Sequence, residues 1–367
     1  MSPIYLDNQA TTPMAPEVFD AMLPWLRDNF GNPHSPHVLG RKAAAAVEVA
    51  REQVAALLPK GGRVIFTGSA TEAINLAFGA ARTRQGRDQI AVIDTEHAAV
   101  RDTALWYRTQ GFDTKLLPVD AQGLVVLEEL EACLNQKTAL VGAMLVNNEI
   151  GTIQPVDRIA AMAHGAGALM LCDAVQGFGR IDIPAQADLI ALSGHKIYGP
   201  KGIGALWVRD GIELPPLIHG GGQEQGVRSG TLSPALCVGL GRAAEICAER
   251  RQADMTHIEA LAERARSLFG DWTVNGSLGQ RYAGNLNIRR DGLDVARLMS
   301  DVRGVAFSAG SACASGSGRP SHVLAALGLE PAQIKSSIRL GFGRYNTVDE
   351  VDQAAHLINQ AAEKQLS

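Results

Sequence analysis

Residues 169–196 read LMLCDAVQGFGRIDIPAQADLIALSGHK. Two short apolar runs, Leu169–Asp173 and Leu189–Ser193, each close on a polar residue. Runs this brief, apolar throughout and bounded by glycine or polar residues, suit strands buried on both faces of a parallel sheet. Working outward, similar runs occur at Val64–Thr67, Ile90–Asp94, Thr114–Val119, Ala139–Val146 and Ala205–Val208. Segments of helical period lie between them at Arg41–Leu58, Thr71–Ala81, Ala98–Gln110, Val125–Leu134 and Val156–His164. That alternation predicts an α/β domain around a mostly parallel, seven-stranded sheet.

An Ala-, Glu- and Arg-rich stretch, Pro234–Leu268, follows as one long helix or two. Beyond it, Asn285–Ile288, Val305–Ser308 and Ser337–Leu340 read as strands of a smaller α+β domain. They are interrupted by the Gly/Ser-rich segment 308–321. The expected division is a large domain over 16–250 and a small one built from 1–15 and 251–367. A chain of 367 residues is long enough for two cores. Its net charge of −4 disfavours nucleic acid or an anionic membrane as main ligands, and no apolar run is long enough to span a bilayer. The start lacks the basic and apolar regions of a secretory signal, so a cytoplasmic enzyme is expected. Five cysteines without a CxxC pair predict reduced thiols and no structural metal.

Chemistry gathers at the expected strand ends. After Thr67, the stretch Gly68-Ser69-Ala70-Thr71-Glu72 has capping-box spacing at a helix start. Such a start is either a plain cap or an anion site, because first-turn amides and the helix dipole favour negative charge. Asp173 ends one strand and Gln176 follows; Ser193, His195 and Lys196 end the next. In open α/β sheets this edge binds ligands. An isolated Asp or Lys there reads as a turn cap or a solvated charge. Together, an anion-binding helix start, a carboxylate and a lysine meet the protein-side needs of pyridoxal 5′-phosphate: a phosphate site, a partner for the pyridine nitrogen and an imine-forming amine. His97, past another strand end, is placed to lie over the ring or pass a proton.

Ten segments in order carry a resemblance: YLDNQATTP, GNPHSPH, GSATEA, DTEHAAV, VNNEIGTIQP, CDAVQGFGRIDI, SGHKIYGPKGIGALWVR, GGGQEQGVRSGT, GSACAS and SSIRLGFGR. They span nearly the whole chain, which resembles the NifS/IscS-like cysteine desulfurases of the class V aminotransferase family. The resemblance implies the fold type I of pyridoxal phosphate enzymes and removal of sulfur from L-cysteine to leave L-alanine and a protein persulfide. Lys196 would be the Schiff-base lysine, Asp173 the pyridinium partner, His97 the stacking residue, and Gln176 and Asn148 neighbours of the cofactor hydroxyl. Ala70, Thr71, Ser193 and His195 would hold the phosphate. Thr231 would reach the cofactor phosphate of a neighbouring subunit, implying a homodimer. Arg339 matches the arginine that grips the substrate carboxylate, with Asn148, Asn8 and the GNPHSPH segment bordering the substrate.

Cys313 matches the persulfide cysteine and lies in a Gly/Ser-rich segment poor in large apolar residues. Cys133, Cys172, Cys237 and Cys247 lie in apolar or helical runs and are expected to be inert. The implied reaction begins when cysteine displaces Lys196, which then takes the Cα proton; Cys313 next attacks the substrate Sγ and retains the sulfur. A sulfur acceptor, either an iron–sulfur scaffold or a thiolation carrier, would complete the cycle. A transient iron–sulfur contact through Cys313 stays open. The chain ends 28 residues after Arg339, so the C-terminal extension by which longer relatives dock a scaffold is expected to be shortened. The rival readings are a selenocysteine lyase, another class V aminotransferase relative and a non-catalytic assembly subunit.

Overall fold

The computed structural model describes residues 3–309 and 320–367. Seven strands form the main sheet: β2 (Gly62–Thr67), β3 (Gln89–Ile93), β4 (Asp113–Leu117), β5 (Thr138–Met144), β6 (Leu169–Asp173), β7 (Leu189–Ser193) and β8 (Gly204–Arg209), with β1 (Ile4–Tyr5) lying outside it. Their order is β2-β8-β7-β6-β5-β3-β4. Strands β7 through β4 pair in parallel, whereas β8 runs antiparallel to both β2 and β7. The expected mostly parallel sheet is therefore present, with β8 as its one reversed strand.

Both faces of the sheet are covered. In β6, Met170 and Cys172 pack into one apolar cluster while Leu169 and Leu171 pack into the other. Period-two alternation between two buried faces is why these strands read as unbroken apolar runs. The stretch after Ser233 is a single 35-residue helix, Pro234–Leu268. Its first half, through Cys247, joins the sheet cluster, and Ile258–Ala265 joins a separate cluster.

That second cluster lies against a four-stranded sheet, ordered β12-β13-β10-β9, of β9 (Thr273–Val274), β10 (Asn285–Arg289), β12 (Ser308–Ala309) and β13 (Ser337–Gly341). The single strand expected over Val305–Ser308 is instead two. β11 (Val305–Ala306) pairs in parallel with β1, and β12 pairs antiparallel with β13. The chain changes partners at Phe307, a choice that local apolar pattern does not encode. Helices Pro16–Arg27 and Val348–Leu366 were not singled out in the sequence. Pro24 lies inside the first, which masks its helical period.

Candidate active site

The carboxyl ends of the parallel strands converge on a cavity of about 510 Å3, within the range of ordinary small-ligand sites. Register explains the convergence: Met144 faces Asp173 across β5 and β6, and Ser193 faces Gly204 across β7 and β8. Ala70, Thr71, His97, Asn148, Asp173, Gln176, Ser193, His195, Lys196 and Arg339 all line the cavity. Gln9, Met144 and Lys201 line it too and were not singled out in the sequence. Lys201 stands five residues beyond Lys196 in the same SGHKIYGPKG stretch, with the pattern of an ordinary solvated charge.

The phosphate-sized end is built by a close backbone approach. A Cβ on Gly204 would lie 2.6 Å from Ser69 C and 2.7 Å from the Ala70 amide nitrogen, so only glycine lets β8 meet the helix start there. That helix, Ala70–Arg82, is capped by Ser69, whose Oγ accepts from the Glu72 amide at 3.1 Å. Glu72 Oε2 accepts from the Gly68 amide at 2.7 Å, one residue before the N-cap, in place of the Ser69 amide that a capping box would use. The Ala70 and Thr71 amides are first-turn donors that a helix cannot satisfy internally. A capped start of this kind still leaves first-turn amides able to meet an anion.

At the other end, Lys196 closes the short turn Gly194–Lys196 after β7. Its Nζ donates to the carbonyls of Gln9 at 2.5 Å and Ala10 at 2.8 Å, so the amino-terminal segment aims the amine. Buried Asp173 accepts from the Val175 amide at 2.9 Å. Burial raises its pKa, while His97, that amide and Lys196 pull it back. Glu96 is fully buried, and burial, then the charge of Asp173, drives its pKa well up. Burial pushes both carboxyls of this pair up, and only Asp173 has His97 and Lys196 beside it to pull it back. His97 caps its own helix, Nδ1 accepting from the Ala99 amide at 3.1 Å, so a neutral ring carries its proton on Nε2. Gln176 is held at both ends: Nε2 donates to the Gln9 carbonyl at 2.9 Å, and Oε1 accepts from Arg180 at 2.9 Å.

Asn8, Thr231 and the GNPHSPH segment (31–37) are not among the residues that line this cavity. Asn8 is buried behind the wall, its amide donating to the Gly341 carbonyl at 2.9 Å and Asn346 Oδ1 at 3.0 Å. Gln9 meets the cavity through its backbone carbonyl, which accepts from Gln176 and Lys196, while its side-chain amide donates to the Gly284 carbonyl at 2.6 Å. Thr231 is exposed and outside the cavity of its own chain. Cys313 and segment 310–319 lie outside the described residues.

The model of class-V aminotransferases matches residues 4–354. The chain belongs to the class-V aminotransferase family. It is 42% identical to the cysteine desulfurase IscS of Rickettsia akari (strain Hartford) over 375 aligned positions, covering 99% of this chain and 92% of that protein. Among solved structures, a NifS-like protein superposes with a TM-score of 0.92 at 34% identity, covering 99% of this chain and all of its own. The structure of SspA in complex with cysteine gives a TM-score of 0.82 at 35% identity, covering 94% of this chain and 99% of that one. The class-V fold is that of the fold type I pyridoxal phosphate enzymes, and pyridoxal 5′-phosphate is the cofactor. The residues present fit it: Lys196 points an amine into the cavity, buried Asp173 faces it, and the Gly204 notch opens the amides of Ala70 and Thr71.

Proposed function

We infer that this chain is a cysteine desulfurase, taking sulfur from L-cysteine and releasing L-alanine. The observation that carries this reading is the meeting of Lys196, Asp173, His97 and Arg339 in one cavity, in a chain sharing 42% identity with a cysteine desulfurase over nearly its full length. When bound, pyridoxal phosphate supplies an electron sink for the substrate Cα. Lys196 would tether it and, once displaced by the substrate amine, carry the Cα proton. Asp173 would hold the ring nitrogen proton, His97 would lie against the ring face, and Asn148 and Gln176 would flank its hydroxyl. Ala70, Thr71, Ser193 and His195 would hold the phosphate, and Arg339 the substrate carboxylate, for which a planar fork is well shaped.

The Cys313 thiolate would attack the substrate Sγ, forming an S–S bond as the Cβ–Sγ bond breaks. The electron pair stays with the three-carbon fragment, which is protonated and leaves as alanine. The persulfide then passes to an acceptor protein, in iron–sulfur assembly or thiolation. Burial raises the pKa of the other four thiols, Cys237 to about 12, which supports leaving them out of the chemistry. The helix Pro234–Leu268 would bridge large and small domains, with their boundary between Cys247 and Ile258. Cys133, Cys172, Cys237 and Cys247 form no disulfide among the described residues. Among the described residues no helix is long and apolar enough to cross a membrane.

Incubation with L-cysteine should yield alanine and a persulfide that mass spectrometry maps to Cys313. Cys313→Ser should lose the persulfide and keep the cofactor's visible absorbance, which Lys196→Ala should lose. Equal sulfur release by the Cys313→Ser protein would reject the assignment.

A further inference from the structure

Arg339 is almost wholly buried, its side chain 1% exposed, so its charge needs fixed partners. Nη2 donates to Asp7 Oδ1 at 2.7 Å, and Nη1 donates to the Asn148 carbonyl at 3.0 Å. Nε is buried and has no partner among the described residues. A guanidinium has five N–H groups, and these two bonds use two of them. A buried donor without a partner is costly until a ligand satisfies it. Arg339 lines the cavity whereas Asp7 does not, so any effect of Asp7 on a ligand runs through the arginine.

Asp7 is itself held on three sides. Oδ2 accepts from Ser308 Oγ at 2.9 Å, and its carbonyl accepts from Tyr5 Oη at 3.1 Å and the Ala10 amide at 2.9 Å. Ser308 is the direct cross-strand partner of Arg339, and Asp7 bridges to Gly341 on the same strand. The carboxylate is thus anchored to the strand that carries the arginine and moves with it. We infer that Asp7 is a positioning residue for Arg339, turning its guanidinium so that Nε and the remaining Nη protons meet the carboxylate of the amino-acid substrate. This rests on the reading of Arg339 as the carboxylate grip.

The test is steady-state kinetics of the holoenzyme with L-cysteine. Asp7→Ala should raise KM about tenfold, the scale of one weakened charge-assisted hydrogen bond. kcat should stay within about threefold and the visible absorbance should be unchanged, a split that a damaged fold would not give. Asp7→Asn keeps an oxygen that accepts from Nη2 and should restore KM to within about threefold of the parent. Asp7→Ser, too short to span to Nη2, should match the alanine protein and serves if that protein does not fold. In an Arg339→Ala background, Asp7→Ala should add nothing. An unchanged KM in both Asp7→Ala and Asp7→Ser, or an equal KM rise without Arg339, would overturn the inference. An unchanged KM in Arg339→Ala alone would overturn the carboxylate reading as well.

Discussion

A half-buried imidazole close to Lys196, Lys201 and Arg180 has little reason to accept a proton. Burial first, then those three cations, lowers the His195 pKa to about 4 from 6.5. Its Nδ1 lies 3.1 Å from Thr11 Oγ1, which fixes the ring at the cavity wall. At neutral pH His195 is therefore an uncharged hydrogen-bonding group at the cavity wall. Between pH 6.5 and 4 the unfolded chain binds the proton that the folded chain refuses. The stability contribution of the neutral ring is complete above pH 6.5 and is lost as the pH falls toward 4. The melting temperature of the cofactor-free chain should thus fall more steeply over that window than that of His195→Asn. Parallel melting profiles would show that the ring titrates normally in the fold.

The joint between strand and helix shows how little tolerance the phosphate end has. Gly204 is buried and register-paired with both Thr67 and Ser193, so a side chain there would meet Ser69 and Ala70 backbone on one side with no room to move sideways. Gly204→Ala should cost about 1–3 kcal/mol by overpacking, read by denaturant unfolding. It should also weaken pyridoxal 5′-phosphate more than pyridoxal, because the displaced group is the helix start and not the ring wall. Equal loss for both ligands would place the phosphate elsewhere. Elements of this kind were legible: Leu169–Asp173 and Leu189–Ser193 have the expected bounds, since a strand buried on both faces announces itself as an apolar run. The split at Phe307 was not, because it depends on strands distant in sequence, and the helix around Pro24 was not, because the proline masks its period. Gln9 reaches the Gly284 carbonyl at 2.6 Å, and Asn8 is claimed by Gly341 and Asn346. Nothing in YLDNQATTP tells that both side-chain amides are spent on segments nearly three hundred residues or more away.

At the scale of the molecule, the proposed role of Thr231 requires a second chain. Thr231 is exposed and is not among the lining residues of its own cavity, which suits the proposal that it serves the site of a second copy. Large apolar side chains are also exposed along 19–49, with Phe30 at 84%, Val38 at 68% and Leu26 at 61%, a cost that an assembly would remove. Subunit mixing tests the sharing. A Thr231→Ala subunit keeps its own Lys196 but lacks the threonine it would lend, while a Lys196→Ala subunit lends an intact threonine and has a dead site. If the sites are shared, the mixed dimer holds one cavity with native Lys196 and Thr231 of the partner subunit. Purified by paired affinity tags, it should recover about half the activity of the parent dimer, as a two-fold assembly with one complete site requires. If each chain is self-sufficient, the mixed dimer contains only a Thr231→Ala site and a dead one, and its activity cannot exceed half that of the Thr231→Ala dimer. The two outcomes differ by whatever Thr231 contributes to holding the cofactor, and titrating pyridoxal 5′-phosphate into each dimer measures that contribution directly.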